Sequence, residues 1–212
     1  IELAYHFAKG RIIAITGTNG KTTTTSLVGE IMANYFDDVK VVGNIGIPYT
    51  SVAADTTEDT VTVAEISSFQ LETIHEFHPQ ISAILNITPD HLNRHHTMDC
   101  YIKTKEAITT NQTKDEVCVL NYEDEVLRAF GESAPVHVVW FSSARKLAEG
   151  FYLDGEEIFY AHDGNTEKVI NVNDLNLLGR HNYENVMAAT AMSVNFGVPM
   201  EKIVEVLKRF QA

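Results

Sequence analysis

Cysteine is nearly absent: two in 212 residues, Cys100 and Cys118. Two at that spacing exclude a disulfide framework and offer neither a zinc pair nor a redox pair. Basic residues are scarce as well, 16 Lys+Arg against 29 Asp+Glu, for a formal net charge of −13. That balance argues against affinity for nucleic acid or for an anionic membrane, since both need a basic face. It leaves room for a small anionic ligand held by a few focused cations. No apolar run approaches the ~18 residues of a membrane span, and no leader-like segment opens the chain. The expected location is therefore the cytoplasm. An Asn-Lys-x-Asp motif, which a guanine-binding switch would use, does not occur. The arginines (Arg11, Arg94, Arg128, Arg145, Arg180 and Arg209) are scattered rather than gathered into a kinase-type lid.

What is present is enough apolar material, 44% of residues, for a sizeable core in one domain. Continuous hydrophobic runs, the mark of strands buried on both faces, predict strands at 11–16, 39–42, 60–66, 81–87, 117–121 and 136–141. Helical patterns lie between them. Leu27, Val28, Ile31, Met32 and Tyr35 share a face, and 99–110 and 123–130 follow the same period. The alternation predicts an α/β fold with an open, mostly parallel sheet covered by helices. From 150 to 172 the pattern becomes short alternating segments with turn signals at Asp154-Gly155 and Asp163-Gly164, a small antiparallel β appendage. Helices at 182–195 and 199–210 close the chain, with Gly197 placed to end the first. The chain opens at Ile1 and stops directly off a helical pattern. We therefore expect a piece of a longer protein, with 1–10 the end of a linker and 11–212 the domain.

The predicted strand at 11–16 runs into Gly17-Thr18-Asn19-Gly20-Lys21-Thr22-Thr23, and a helix follows. Glycines let backbone N–H groups turn toward phosphate oxygens, and a helix N-terminus adds positive potential. Lys21 would supply a point charge and Thr22 a hydroxyl for Mg²⁺. The common G-x-x-x-x-G-K-[ST] pattern is broken, because Ile15 stands where its first glycine belongs. The plainer reading is a strand–helix turn that happens to contain Gly-Lys-Thr. Glu65 ends the apolar run from residue 60, where a phosphate-loop protein places a second metal ligand, although strand-end acids are common. Asp90 and His91 lie just beyond the strand at 81–87, where open α/β sheets bind ligands. His91 could ligate a metal or donate to a substrate. Lys105 falls on the apolar stripe of Met98, Tyr101, Ile102 and Ile108, whereas Lys103 points away. A lysine there can snorkel out, pair with an acid or lose its proton. A neutral amine could add CO₂ and become a carbamate, a metal-binding anion.

These motifs together resemble the bacterial Mur ligases, ATP-dependent enzymes that add amino acids to the peptidoglycan precursor. The resemblance rests on Thr16–Thr23 (TGTNGKTT), Gly43–Pro48 (GNIGIP), Glu65–Glu72 (EISSFQLE), Asn86–His95 (NITPDHLNRH) and Gly179–Asn185 (GRHNYEN). The Ser-Ser-Phe-Gln-Leu-Glu string is most similar to the branch that adds D-glutamate to UDP-N-acetylmuramoyl-L-alanine. The likeness runs from about Ile12 to Phe210 and corresponds to the central ATPase domain of a three-domain enzyme. It implies that Gly17, Thr18, Asn19, Gly20, Lys21, Thr22 and Thr23 hold ATP phosphates, with Asn182 and Asn185 on the adenine. It further implies that Thr22 and Glu65 serve one Mg²⁺, that His91 and a carbamylated Lys105 serve a second, and that Asn44, Gln70 and His91 face the muramoyl substrate. Lys21, Glu65, His91 and Lys105 would be the catalytic set, in a cytoplasmic monomer with no nucleic-acid or membrane partner. Ile66 and Asn93 depart from the family's usual Leu and frequent Asp. The competing readings are a phosphate-loop regulatory module without ligation, or another ligase of the Mur and folylpolyglutamate type.

Overall fold

The structure, a computed structural model, describes residues 1–211. After a short helix α1 (Glu2–Phe7), the chain alternates strands and helices: β1 (Arg11–Thr16), α2 (Lys21–Ala33), β2 (Val39–Gly43), α3 (Tyr49–Val52), β3 (Val61–Glu65) and α4 (Ser68–Leu71). It continues with β4 (Ile81–Ile84), α5 (Leu92–His95), α6 (Met98–Glu106), β5 (Val117–Asn121), α7 (Glu125–Ser133) and β6 (His137–Ser142). A meander of β7 (Gly150–Asp154), β8 (Glu157–His162) and β9 (Asn165–Asn171) precedes α8 (Arg180–Phe196) and α9 (Met200–Arg209).

All strands belong to one nine-stranded sheet in the order β2-β3-β1-β4-β5-β6-β7-β8-β9. Pairing is parallel from β2 through β7 and antiparallel from β7 to β9. The expected β appendage is thus present and continues the main sheet, joined through Phe141–Phe151 and Ser142–Tyr152. Its tight loops carry positive φ at Gly155, Asp163 and Gly164, the backbone twist that two-residue hairpin connections require. Strand residues alternate between two cores. Ile13 and Ile15 pack with α2, α8 and α9, while Ile12 and Ala14 face the layer containing Tyr49, Tyr101 and Leu127.

Chain connections leave β1 toward β2 on one side and β4 toward β5 on the other, so the carboxyl ends of β1 and β4 flank a topological switch point, with β3 alongside. The segment at 81–87 was expected to be strand throughout, yet β4 stops at Ile84. Leu85 N–H still donates to the Thr16 carbonyl, after which Ile87 N–H donates to the Asp124 carboxylate and turns the chain out of the sheet. Asp124 also caps α7 by accepting from the Val126 and Leu127 amides, so that helix starts at Glu125 rather than at 123. The expected helix at 99–110 is α6 followed by a tighter turn at Ala107–Thr109. Tyr35, expected on the buried face of α2, lies beyond its end and is 47% exposed.

Residues 2–7, expected as linker, form a docked helix. Ala4 is buried, Tyr5 meets Phe77 edge-on, and Glu2 accepts the amides of His75, Glu76 and Phe77 at 2.7–3.1 Å. Burial works against the Glu2 carboxylate, but these three bonds and nearby His6 outweigh it and hold its pKa below the ordinary 4.5. A depressed carboxyl pKa contributes stability above the unfolded value that fades as pH falls through the folded one. Glu2→Gln should therefore cost about 1–3 kcal/mol at neutral pH. In denaturant titrations the wild-type advantage should shrink below pH 4.5.

Candidate functional site

At the end of β1 the chain must turn sharply into α2, and two glycines make the turn. Gly17 adopts φ +150° and Gly20 φ +83°. A Cβ on Gly20 would come within 2.3 Å of the Asn185 side-chain oxygen, so any other residue would have to displace that side chain as well as strain the backbone. Asn86 holds the loop from the other side. Its side-chain oxygen accepts the Asn19 amide and its NH₂ donates to the Asn19 carbonyl. Thr18 Oγ1 sits among Thr88 and the Tyr101 hydroxyl at 3.0–3.2 Å. The loop is therefore pinned by β4's exit segment, α6 and α8 together. Thr24 and Thr25 carry the first turn of α2 into the core, while Thr22 is exposed and Thr23 half-buried.

Lys21 folds back over the loop, donating to the carbonyls of Gly17 and Thr18 at 2.9 and 2.8 Å. Burial pulls its pKa below the ordinary lysine value, against the attraction of Glu65 and Asp90. Thr22 Oγ1 donates to Glu65 at 2.9 Å, and Asn44 donates to the other carboxylate oxygen at 2.8 Å. Glu65 itself is buried at the end of β3. Loop hydroxyl and strand-end carboxylate are thus in direct contact.

Lys105 does not snorkel: it is 2% exposed. Nor does it pair with an acid among the described residues. Its amine donates to the Gly17 carbonyl at 2.8 Å, lies 3.4 Å from Thr16 Oγ1 and sits 4.8 Å over the Tyr101 ring. Burial, reinforced by the charge of Lys21 and opposed by Asp90, brings its pKa down to about 7. Of the three options the sequence left open, proton loss is the one this environment favours.

A cavity of about 210 Å³ brings Lys21, Asn44, His91 and Lys105 together, with Ser67 and Tyr101 also in its wall. His91 is exposed, in left-handed backbone geometry at φ 52°, with its amide on Asp90 Oδ1 and its ring 3.4 Å from Asp90 Oδ2. Gln70 is not in this wall. Its side-chain oxygen accepts from the Ser67 amide and hydroxyl, closing a reciprocal cap on α4. Asn182 and Asn185 lie apart from the cavity on α8. Asn182 donates to the Leu178 carbonyl and accepts from Asn185 at 3.4 Å, and only Asn185 reaches the loop at Gly20.

Two participants had no assigned role in the sequence. His95 is buried, bonded to Ser68 Oγ at 2.9 Å, stacked on Phe69 and tilted against Tyr101. Tyr101 forms the floor under Lys105. The available signal for Tyr101 was its position four residues before Lys105 on one helical face. For His95 no spacing gave one.

Among the described residues, no group of three His, Cys, Asp or Glu side chains can hold a metal by itself. The donors suit a cation shared with a ligand: Thr22 and Glu65 in contact, and two amines lining a crevice that favours anions.

A glycine loop between strand and helix, a lysine over it and a carboxylate on the adjacent strand define a nucleotide-phosphate-binding α/β domain. Residues 15–193 match the family description "Mur ligase middle domain", and the chain belongs to that family. It is 61% identical over 212 residues to the UDP-N-acetylmuramoylalanine--D-glutamate ligase of Lachnospira eligens, covering all of this chain and 47% of that protein. The same-named enzyme of Clostridioides difficile is 48% identical over 212 residues, again spanning 100% and 47%. The chain thus spans about half the length of the curated relatives it matches. Among solved structures, a UDP-N-acetylmuramoyl-L-alanyl-D-glutamate--2,6-diaminopimelate ligase aligns with TM-score 0.77 at 23% identity, over 100% of this chain and 48% of its own. MurF from Acinetobacter baumannii aligns with TM-score 0.71 at 19% identity, covering 99% and 48%. These likenesses show the fold. No helix among the described residues is long and apolar enough to cross a membrane.

A lysine with pKa near 7 in the fold and 10.5 unfolded binds fewer protons folded than unfolded between those values. Stability should therefore rise with pH across that window. Lys105→Met, which removes the buried amine, should abolish this component and equal or exceed wild type in stability near pH 7. Denaturant melts of the two proteins from pH 6 to 10 test this. The difference should change by a few kcal/mol, on the order set by the pKa shift.

Proposed function

We propose that the protein of which this chain forms the central part ligates D-glutamate to UDP-N-acetylmuramoyl-L-alanine at the expense of ATP, a step of peptidoglycan precursor synthesis. The observation that carries the reading is the convergence of Lys21 and Lys105 on the Gly17 carbonyl beside the Thr22–Glu65 contact. The names of the relatives supply the substrates.

In this reading the muramoyl carboxylate attacks the γ-phosphorus of ATP, giving an acyl phosphate and ADP. The D-glutamate amine then attacks the acyl carbon, and the tetrahedral adduct expels phosphate to leave an amide. No protein nucleophile is needed. The site must bring a carboxylate up to a polyphosphate, which only cations permit. Lys21 and the loop amides of Gly17–Thr23 hold the phosphates. Thr22 and Glu65 would hold one Mg²⁺, and His91 with Lys105 a second. Bound Mg²⁺ screens the phosphate charge and orients its oxygens.

Lys105 can ligate a cation only after losing its own charge. Its neutral amine attacks CO₂, forming an N–C bond and releasing one proton, which yields a carbamate at the same place. Asn44 and His91 border the cavity on the side open to the muramoyl substrate. Gln70 acts on that face through the α4 cap that positions Ser67. We assign the UDP-binding and amino-acid-binding domains to the parts of the parent protein outside this chain, which alone would not ligate. The parent is read as a cytoplasmic monomer.

Phosphate release by the full-length protein with MgATP tests the reaction. It should require both UDP-N-acetylmuramoyl-L-alanine and D-glutamate; release with diaminopimelate or L-lysine instead would correct the amino acid, and no substrate-dependent release would end the ligase reading. Lys21→Ala should lower turnover by about 10³-fold or more with the fold intact, as loss of a phosphate-binding cation does. Lys105→Ala should lose activity that a short-chain carboxylic acid partly restores. Undiminished activity without any carboxylate there would exclude the carbamate.

A further inference from the structure

Of the two asparagines that the family resemblance places on the adenine, Asn182 donates to the Leu178 carbonyl and accepts from Asn185 at 3.4 Å, while Asn185 lines a cleft beside the loop. A second side chain of α8, Glu184, lines the same cleft. This small cleft of about 70 Å³ opens between the phosphate loop and α8, lined by Asn19, Gly20, Asn86, His181, Glu184 and Asn185, with Leu85 and Phe141 as its apolar members. Glu184 and Asn185 reach it as neighbours on α8, while Asn182 is not part of its wall.

The Glu184 carboxylate is held by a directed chain of hydrogen bonds. Arg180 Nε donates to Ser143 Oγ at 2.8 Å, and the Ser143 hydroxyl donates to Glu184 Oε1. Ser143 is itself buried just after β6. The neighbouring Ser142 accepts the Ala144 and Arg145 amides and donates to Glu123, which Arg145 grips through two bonds of 2.7 and 2.8 Å. One carboxylate oxygen is thus fixed by a serine on a braced turn, and the carboxylate lines the cleft beside the loop.

An ionised carboxylate only accepts hydrogen bonds. A base that presents an exocyclic amine satisfies it, and one that presents a carbonyl at that position sets two acceptors against each other. We propose that Glu184 is a base-selecting residue, its carboxylate accepting the 6-amino group of an adenine nucleotide and rejecting 6-oxo purines. The inference rests on the nucleotide reading of the loop and adds a specificity determinant to it. Ser143 and Arg180 are positioning residues that aim the carboxylate.

The test compares MgATP with MgITP, which differ in carrying an amine or a carbonyl at the 6-position, by calorimetric titration of the full-length protein. Wild type should prefer ATP by about tenfold or more, the scale of one mismatched polar contact. Glu184→Gln, able to donate as well as accept, should bring the ratio to near unity mainly by tightening ITP binding. Ser143→Ala, which keeps the carboxylate but frees it, should lower the ratio by an intermediate factor and guards against a folding defect in the first variant. Lys21→Ala should weaken both nucleotides alike. Equal affinities in wild type, or an unchanged ratio in both Glu184→Gln and Ser143→Ala, would overturn the base-selecting role while leaving the phosphate loop in place. No binding of either nucleotide by wild type would overturn the phosphate-loop reading and this inference with it.

Discussion

Two lysine amines share one backbone carbonyl, that of Gly17, at 2.9 and 2.8 Å. Among the described residues no carboxylate bonds to either amine, so each loses hydration without gaining a counter-charge in direct contact. Burial is the main cause that depresses the pKa of Lys105, and the charge of Lys21 adds to it. This arrangement holds only because the surrounding structure enforces it: α6 brings Lys105 in from one layer, the loop after β1 brings Lys21 in from above, and Tyr101 fills the space beneath. A crevice lined by two lysine amines is predisposed toward anions, and the net charge of −13 on the whole chain does not cancel that local effect.

Strand order supplies the space. Because β1 and β4 send their connections in opposite directions, the loop between β1 and α2 is not crowded by its neighbour, and the segment after β4 can curl around it. Asp124 and Asn86 make that curl definite, one capping α7 while taking the Ile87 amide, the other clasping Asn19 through both ends of its amide. The loop that carries Asp90 and His91 is therefore referenced to three elements at once. Ligand groups from β1, β3, β4 and α6 meet although they lie far apart in sequence.

Much of this was legible beforehand, for identifiable reasons. The phosphate loop was readable because glycine, lysine and threonine act there through local backbone geometry, which spacing encodes. The strands and the meander were readable because buried runs and Asp-Gly turns are local as well. What escaped depended on contacts between distant segments. The helix face assigned to Tyr35 ran past the point where α2 stops. The end of β4 was set by Asp124, 37 residues from the amide it accepts. Gln70 looks like a substrate ligand in a motif and spends its oxygen on the cap of its own helix. Lys105 was recognisable as misplaced, but only burial and the Gly17 carbonyl decide which of three fates it has.

The contact between Gly20 and Asn185 binds two positions 165 residues apart into one steric unit. Neither can drift freely: any side chain at 20 would strike the amide at 185 in addition to straining a backbone at φ +83°. A smaller residue at 185 would relieve the clash but not the strain at φ +83°. The pair should thus persist through divergence that remodels the exposed helices around it. For a designer grafting new base preference onto this scaffold, that contact is a fixed hinge point, and the adjustable surface begins one residue away at Glu184.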